Sequence, residues 1–261
     1  SSAASDVYKR QRIEYQKIIN EFAETHEKAT TMDFHHQLKS SILDAFDDGL
    51  IDRDPTRKTV VKGKKPGKKK QKYLSEFELK MLLRHLHLGT EPNLDWLILL
   101  VAKTGLRFGE ALGLTKEDFD FENQIINISK TWDYKAARGG FKSTKNKSSI
   151  RKVQLDWKLC MQFNTLLRDF PDGTPIFVKK RVFNSTVNNR LKQYCEELAI
   201  PIISIHGLRH THASMLLFAG VSIASVAKRL GHADMTTTQQ TYLHIIPVSY
   251  THLRAHETEL H

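Results

Sequence analysis

Residues 62 to 72, KGKKPGKKKQK, divide the chain. Proline and glycine deny this run a helix, and its like charges repel and extend it. A core must therefore form separately on either side. The chain has 261 residues, enough for two domains, and 40% are hydrophobic, so a packed core is attainable. Residues 62–73 read as a basic linker between a helical segment at 12–61 and a larger domain at 74–247. Lys plus Arg number 40 against 29 Asp plus Glu, a net charge of +11. Such a balance favours a polyanionic partner. The linker is a solvated tether, and its Lys62, Lys64, Lys65, Lys68, Lys69 and Lys70 are also candidates to contact a phosphate backbone, which would make binding salt-sensitive.

Periodicity supplies the elements. In YQKIINEFAE, Tyr15, Ile18, Ile19 and Phe22 recur at helical spacing. Thr30 or Thr31 is positioned to cap a second helix, in which Leu38, Ile42, Leu43 and Phe46 share a face and which Gly49 ends. Beyond the linker, Ser75 and Glu78 form a capping box. LDWLILLVA (94–102) is a buried helix, too short to span a membrane, and no run of about 18 apolar residues exists. NQIINIS and SSIRKVQL read as strands, with YKAARGGFKSTKNK as a polar hairpin tip between them. Helices follow at 157–170 and 186–199, then in HGLRHTHASMLLFAG, SIASVAKRLG and MTTTQQTYLHI, the last opened by threonine caps. Cys160 and Cys195 lie in helix-like stretches without metal spacing and read as reduced core thiols of a cytosolic protein.

Chemistry enters with Tyr242, which follows Arg107, His206, Arg209 and His232 in that order. A free phenol, with a pKa of about 10, is a weak nucleophile at neutral pH. Neighbouring cations favour its ionised form and stabilise negative charge developing on an attacked phosphate. Each arginine offers a planar fork that fits two phosphate oxygens. His206 precedes Arg209 by three residues, so both lie on one helix face. Glu110, three residues after Arg107, is placed to orient its guanidinium. Taken singly, each has a plainer reading: a surface tyrosine, a helix-start salt bridge, two core histidines. His206, His210 and His212 also suggest zinc, but no carboxylate or cysteine completes such a site. Together the residues suggest tyrosine attack on a phosphodiester.

With their flanks, TGLRFGEALGL, HGLRHTHAS, LGHAD and QQTYLHI, these residues resemble the tyrosine recombinase (phage integrase) family over roughly residues 12 to 247. The resemblance implies a mainly α fold with a small antiparallel β-sheet (α+β). A fragment of a helical core-binding domain would precede the catalytic domain. It implies that Arg107 and Arg209 clamp the phosphate and that His206 bonds to it and exchanges a proton with the tyrosine. His232 would donate to a non-bridging oxygen. Alignment of SSIR puts Lys145, rather than Lys142 or Lys147, as general acid to the departing 5′ oxygen. Tyr242 would form a 3′-phosphotyrosine that stores the bond energy, so no cofactor, metal or nucleotide is implied. The implied partner is double-stranded DNA, bound by a homotetramer on paired sites. The implied setting is the cytoplasm of a bacterial host, with no membrane, and the purpose is integration or excision of a phage or mobile element. Two alternatives remain open. One is DNA relaxation of the type IB topoisomerase kind. The other is a catalytically inactive DNA-binding protein that uses SIASVAKRLGHADMTTTQQTY as a helix-turn-helix.

The ends read differently. DVYKRQ (6–11) and VSYTHLRAHET (248–258) resemble translated adapter sequence, so residues 1–11 and 248–261 are expected to be foreign to the fold. Tyr8 and Tyr250 are accordingly weak nucleophile candidates. The family's arm-binding domain and terminal docking helix are expected to be missing, and assembly of this polypeptide to be poor.

Overall fold

The structure, a computed structural model, describes residues 2–67, 71–144 and 147–242, without the side chains of residues 2–5 and Lys147. Lys68, Lys69, Lys70, Lys145 and the 248–261 segment lie outside the described residues. The chain forms two compact units, Ser1–Lys70 and Gln71–His261, which part inside the basic run.

The first unit is a helix pair, α1 (Ser2–Thr25) and α2 (Lys28–Asp47). α1 passes through residues 2–11, the stretch set aside as foreign, and the Tyr8 hydroxyl donates to the Asp54 carbonyl at 3.1 Å. Tyr15, Ile19 and Ala23 are buried, whereas Ile18 turns outward and Phe46 is exposed. The apolar stripes are thus narrower than their spacing suggested. Aromatic contacts close the pair: Phe22 stacks on Phe34 with centroids 4.2 Å apart, and the Tyr15 hydroxyl bonds His35 Nδ1 at 2.9 Å. The threonine cap does not form. α2 begins at Lys28 after Glu27, and buried Thr31 lies inside the helix, its hydroxyl donating to the Glu27 carbonyl at 3.1 Å. Gly49 ends the helix with φ 71°. Polar side chains then tie the following chain back to α1. The Gln16 amide donates to the Val60 carbonyl and accepts from its N–H, both at 2.9 Å. The basic run is held at its start, since Lys64 N–H donates to the His26 carbonyl at 2.8 Å. The side chains of Lys62, Lys64 and Lys65 remain exposed.

The second unit is mainly helical around two small antiparallel sheets. Its helices are α3 (Glu76–His85), α4 (Leu94–Thr104), α5 (Phe108–Leu112), α6 (Trp157–Leu166), α7 (Asn184–Glu197), α8 (Ile205–Phe218), α9 (Ile223–Leu230) and α10 (Met235–Tyr242). The expected capping box starts α3: Ser75 Oγ accepts from Glu78 N–H and Glu78 Oε2 from Ser75 N–H. α4 is buried almost all round, with Leu97, Ile98, Leu100 and Val101 fully inaccessible, and α8 packs across it. A helix apolar on every side belongs in a core. Cys160 and Cys195 are buried free thiols, as their surroundings suggested.

The sheet is more elaborate than a single hairpin. β1 (Phe119–Asp120), β2 (Ile125–Ile128) and β5 (Arg151–Gln154) pair in the order β1-β2-β5, with Ile126 opposite Val153. A further hairpin pairs β3 (Lys130–Trp132), just before the segment read as a polar tip, with β4 (Phe141–Ser143) inside it. Its reason is local: Trp132 meets Phe141 edge-on across the strands, with centroids 5.1 Å apart. Polar composition around these two rings concealed them.

Leu100 sits where α4 is completely enclosed. Leu100→Ala should destabilise the second unit by about 2–5 kcal/mol in urea denaturation, the usual cost of such a cavity. An unchanged midpoint would contradict this packing.

Candidate active site

Three segments converge on one buried carboxylate. Glu110, on α5, is 1% exposed. Its Oε1 accepts from Arg107 Nη1 at 2.8 Å and from Arg151 Nη1 at 3.1 Å. Its Oε2 accepts from Arg151 Nη2 and from the Arg107 backbone N–H, each at 2.9 Å. Burial alone would raise the pKa of this carboxyl. Bonds and charge from Arg151 and Arg107 outweigh burial and hold it below the usual carboxylate range. The salt bridge and the orienting role read from the spacing of Arg107 and Glu110 are one contact.

The remaining valences of the arginines go to helix ends. The last carbonyls of a helix lack intrahelical partners and carry partial negative charge. Arg107 Nη2 donates to the Gly231 carbonyl at 2.9 Å. Arg209, on α8, donates from Nη1 to the Gly105 carbonyl and from Nη2 to the Leu230 carbonyl, both at 2.7 Å. Gly105 ends α4 and Gly231 ends α9, each with φ +69°. Added side chains would also collide: a Cβ on Gly105 would lie 2.8 Å from His212, and one on Gly231 2.8 Å from Arg151 Nη1. Both positions require glycine for the arginines to reach these carbonyls. Arg209 is 3% exposed. Burial, then the charge of Arg107, lowers its pKa to about 9. It stays cationic at neutral pH, held by neutral groups.

The histidines and the tyrosine surround this cluster. His206 is exposed at the residue level, and desolvation by its surroundings, then the charges of Arg209 and Arg107, lowers its pKa. His232, half-buried, bonds through Nδ1 to the Thr238 hydroxyl at 2.6 Å. Burial, then Arg209, Arg107 and Arg151, lower its pKa to about 4. Tyr242 closes α10 and is 3% exposed, packed with Ala213, Leu217, Val226 and Leu230. Its hydroxyl is 2.7 Å from His210 Nδ1. Burial pushes the phenol up to about 12, opposed by the charge of Arg209. The cap of α10 is Asp234 rather than a threonine: its Oδ1 accepts from the Thr236 and Thr237 N–H groups.

Arg107, Glu110, His206, Arg209, His232 and Tyr242 thus come together, although they are spread from position 107 to position 242 of the sequence. Lys145 lies outside the described residues, and Lys62, Lys64 and Lys65 belong to the first unit. An open cleft of about 850 Å³ is lined by Arg107, Glu110, Trp132, Lys142, Ser149 and His206 among others. Arg209 and Tyr242 do not line it. Sequence reasoning missed two members. Arg151 was only a landmark in SSIR, yet its side chain is buried and grips Glu110 with both terminal nitrogens. His210 was weighed only as a zinc ligand, though its place four residues after His206 put it on the same helix face. That zinc grouping does not gather, because His210 bonds Tyr242 while His212 Nε2 accepts from Arg229 Nε at 2.9 Å.

Known proteins resemble this chain in sequence and in fold. The model of the phage integrase family matches residues 72–247. A XerC-like tyrosine recombinase of Caldanaerobacter subterraneus subsp. tengcongensis is 27% identical over 92% of this chain and 68% of its own length. A probable integrase of prophage ps2 in Lactococcus lactis is 32% identical over 77% of this chain and 59% of its own. The integrase of Staphylococcus phage L54a is 30% identical over 55% of this chain and 46% of its own, so this chain spans about half the length of several such relatives. Among solved structures, the Tn1549 transposon integrase in complex with transposon right end DNA superposes with a TM-score of 0.69 at 20% identity, over 97% of this chain and 85% of that one. XerA recombinase gives 0.55 at 20% identity, over 98% and 92%. These two likenesses establish the fold.

The buried imidazoles set a pH dependence. His212, nine-tenths enclosed, has its pKa lowered to about 3, first by burial and then by Arg229. Unfolded, it takes up a proton near its ordinary value of about 6.5. Between those values the unfolded chain binds more protons, so stability must fall as pH drops below about 6.5. His210 and His232 act in the same direction. His212→Gln, which keeps an acceptor for Arg229, should flatten the fall in urea stability between about pH 6 and pH 4 by up to about 1.4 kcal/mol per pH unit. An identical slope in wild type and variant would contradict the assignment.

Proposed function

The chain belongs to the phage integrase family, and from that premise we propose that it is a site-specific DNA recombinase. It cuts and rejoins double-stranded DNA through a 3′-phosphotyrosine and serves the integration or excision of a mobile element. The observation that carries this reading is the gathering of Arg107 and Arg209 beside Tyr242, with Glu110 the one carboxylate bonded to either among the described residues. Guanidiniums tied down by helix-end carbonyls cost little reorganisation when charge develops on a phosphate. Arg107 and Arg209 hold the non-bridging oxygens, with His206 and His232 as further donors. Glu110 and Arg151 fix the pose of Arg107. Tyr242 passes its proton to His206 and attacks phosphorus, and the 5′ oxygen leaves with a proton from Lys145. A 5′ hydroxyl of another strand then reverses the step and frees the tyrosine. Bond energy stays in the phosphotyrosine, so the steps call for no nucleotide.

A DNA partner is supported by the positive balance of the chain and by the related Tn1549 integrase, whose structure contains transposon end DNA. Lys62, Lys64, Lys65, Lys68, Lys69 and Lys70 contact the backbone, and four copies act on paired sites. No described helix is long and apolar enough to cross a membrane. We place the protein in the cytoplasm, on DNA.

The test is a nicked duplex carrying the element's end sequence, on which loss of a short 5′ fragment traps the covalent product. Wild-type protein should form an adduct that resists denaturant. Tyr242→Phe should abolish it with little change in DNA affinity. Arg107→Lys and Arg209→Lys should each slow adduct formation by about 10²–10³-fold, the scale for losing one preorganised donor. Binding without any adduct from the wild type would favour an inactive DNA-binding protein. Relaxation of plasmids regardless of sequence would favour a topoisomerase.

Neutralising Lys62, Lys64 and Lys65 should lower the slope of log affinity against log salt by about 0.9 for each phosphate no longer neutralised. An unchanged slope would remove the tether from the interface.

A further inference from the structure

We propose that His210 is the positioning residue of the nucleophile, fixing where the Tyr242 oxygen lies before attack. The proposal rests on the reading of Tyr242 as nucleophile. The Tyr242 hydroxyl bonds His210 Nδ1 at 2.7 Å. The arginines are engaged elsewhere: the bonds of Arg107 go to Glu110 and Gly231, and those of Arg209 to Gly105 and Leu230. Apolar contacts with Ala213, Leu217, Val226 and Leu230 hold the ring but leave its oxygen without direction. A phenol turns about two torsions, so the polar contact at its tip decides the final placement of the oxygen.

α8 explains why this residue can do so. His206, His210, Ala213 and Leu217 recur at helical spacing and lie along one face. The exposed ring of His206 meets that of His210 edge-on, with centroids 4.7 Å apart and planes at 88°. His210 is therefore braced by a residue of the cleft on one side while it bonds the tyrosine on the other. Arg209, the preceding residue, projects from the adjoining face to the carbonyls of Gly105 and Leu230. One turn of helix thus sets both the phosphate-binding fork and the nucleophile's contact, so their separation is fixed by backbone geometry.

The same contact limits what His210 does. Burial, then the charges of His206, Lys72 and Arg209, lower its pKa to about 4, while the phenol stands near 12. At neutral pH the imidazole is uncharged and the phenol protonated. The gap makes His210 a poor final acceptor for the phenol's proton. Its contribution is orientation.

Asparagine places an amide near the position of a histidine Nδ1, whereas glutamine places it near Nε2. That difference separates a hydrogen bond to the tyrosine from mere occupancy of space. His210→Ala, His210→Asn and His210→Gln should be compared on the nicked duplex, with single-turnover cleavage, DNA affinity and melting temperature measured for each. The alanine variant should lose about 10–100-fold in cleavage rate at unchanged affinity, the scale of a misplacement near 1 Å. Asparagine should restore most of the rate and glutamine should not, although both melt alike. Cleavage by the alanine variant at or above the wild-type rate would overturn the proposal, as would asparagine performing no better than glutamine. If wild-type protein gives an adduct that Tyr242→Phe removes, such results defeat only the role of His210. If the wild type gives no adduct, the reading of Tyr242 fails and this proposal falls with it.

Discussion

One carboxylate among three guanidiniums governs the second unit. Glu110 is bonded by Arg107 and Arg151, and Arg209 lies within reach of their field. Charges in a low-dielectric interior need partners, and removing one member of such a pair costs about 3–5 kcal/mol. Among the described residues, Glu110 is the one carboxylate bonded to these three guanidiniums. The surplus charge is held by carbonyls at the ends of α4 and α9, which are neutral but oriented. A site of this kind resists collapse, because each fork is already fixed, and it attracts anions, because its charge is not cancelled. The proposed handling of a phosphodiester follows from that imbalance more than from any single residue.

The fold serves this arrangement through its turns. α4 is enclosed on nearly every side, so its C-terminal end is a firm point, and Gly105 turns the chain directly into Arg107 and α5. α9 ends at Gly231, whose carbonyl and that of Leu230 receive Arg107 and Arg209, and His232 follows at once. β5 begins with Arg151, which also donates through Nε to the Arg229 carbonyl at 2.6 Å. Sheet, α5 and α9 are thereby fastened through one side chain. Packing sets the elements, their ends supply the polar groups, and the polar groups hold the candidate catalytic side chains.

Much of this was legible in the sequence. The buried α4, the capping box at Ser75, the glycine stops and the strands around Ile126 and Val153 all came from periodicity and turn chemistry. The gathering of Arg107, His206, Arg209, His232 and Tyr242 could be read only from their order and flanks, since spacing along a chain carries no distance. Errors clustered where tertiary contacts override local signals. Thr31 resembles a cap but is drawn into a core with His35. The β3–β4 hairpin hides in polar sequence because two aromatic rings, Trp132 and Phe141, suffice to hold it. Asp234 displaced the threonines because a carboxylate just before a helix accepts its first N–H groups well. His210 and Arg151 escaped notice because their importance lies in what they touch, Tyr242 and Glu110, which sequence does not display.

The most direct measurement is to locate the covalent bond itself. Protein trapped on a nicked duplex would be digested with nuclease and trypsin, and the modified peptide sequenced by mass spectrometry. A 3′-linked nucleotide on the Tyr242 phenol is the expected result. A nucleotide on any other residue, or denaturant-stable DNA linkage that survives Tyr242→Phe, would contradict the assignment of the nucleophile and with it the chemistry built around the Glu110 cluster.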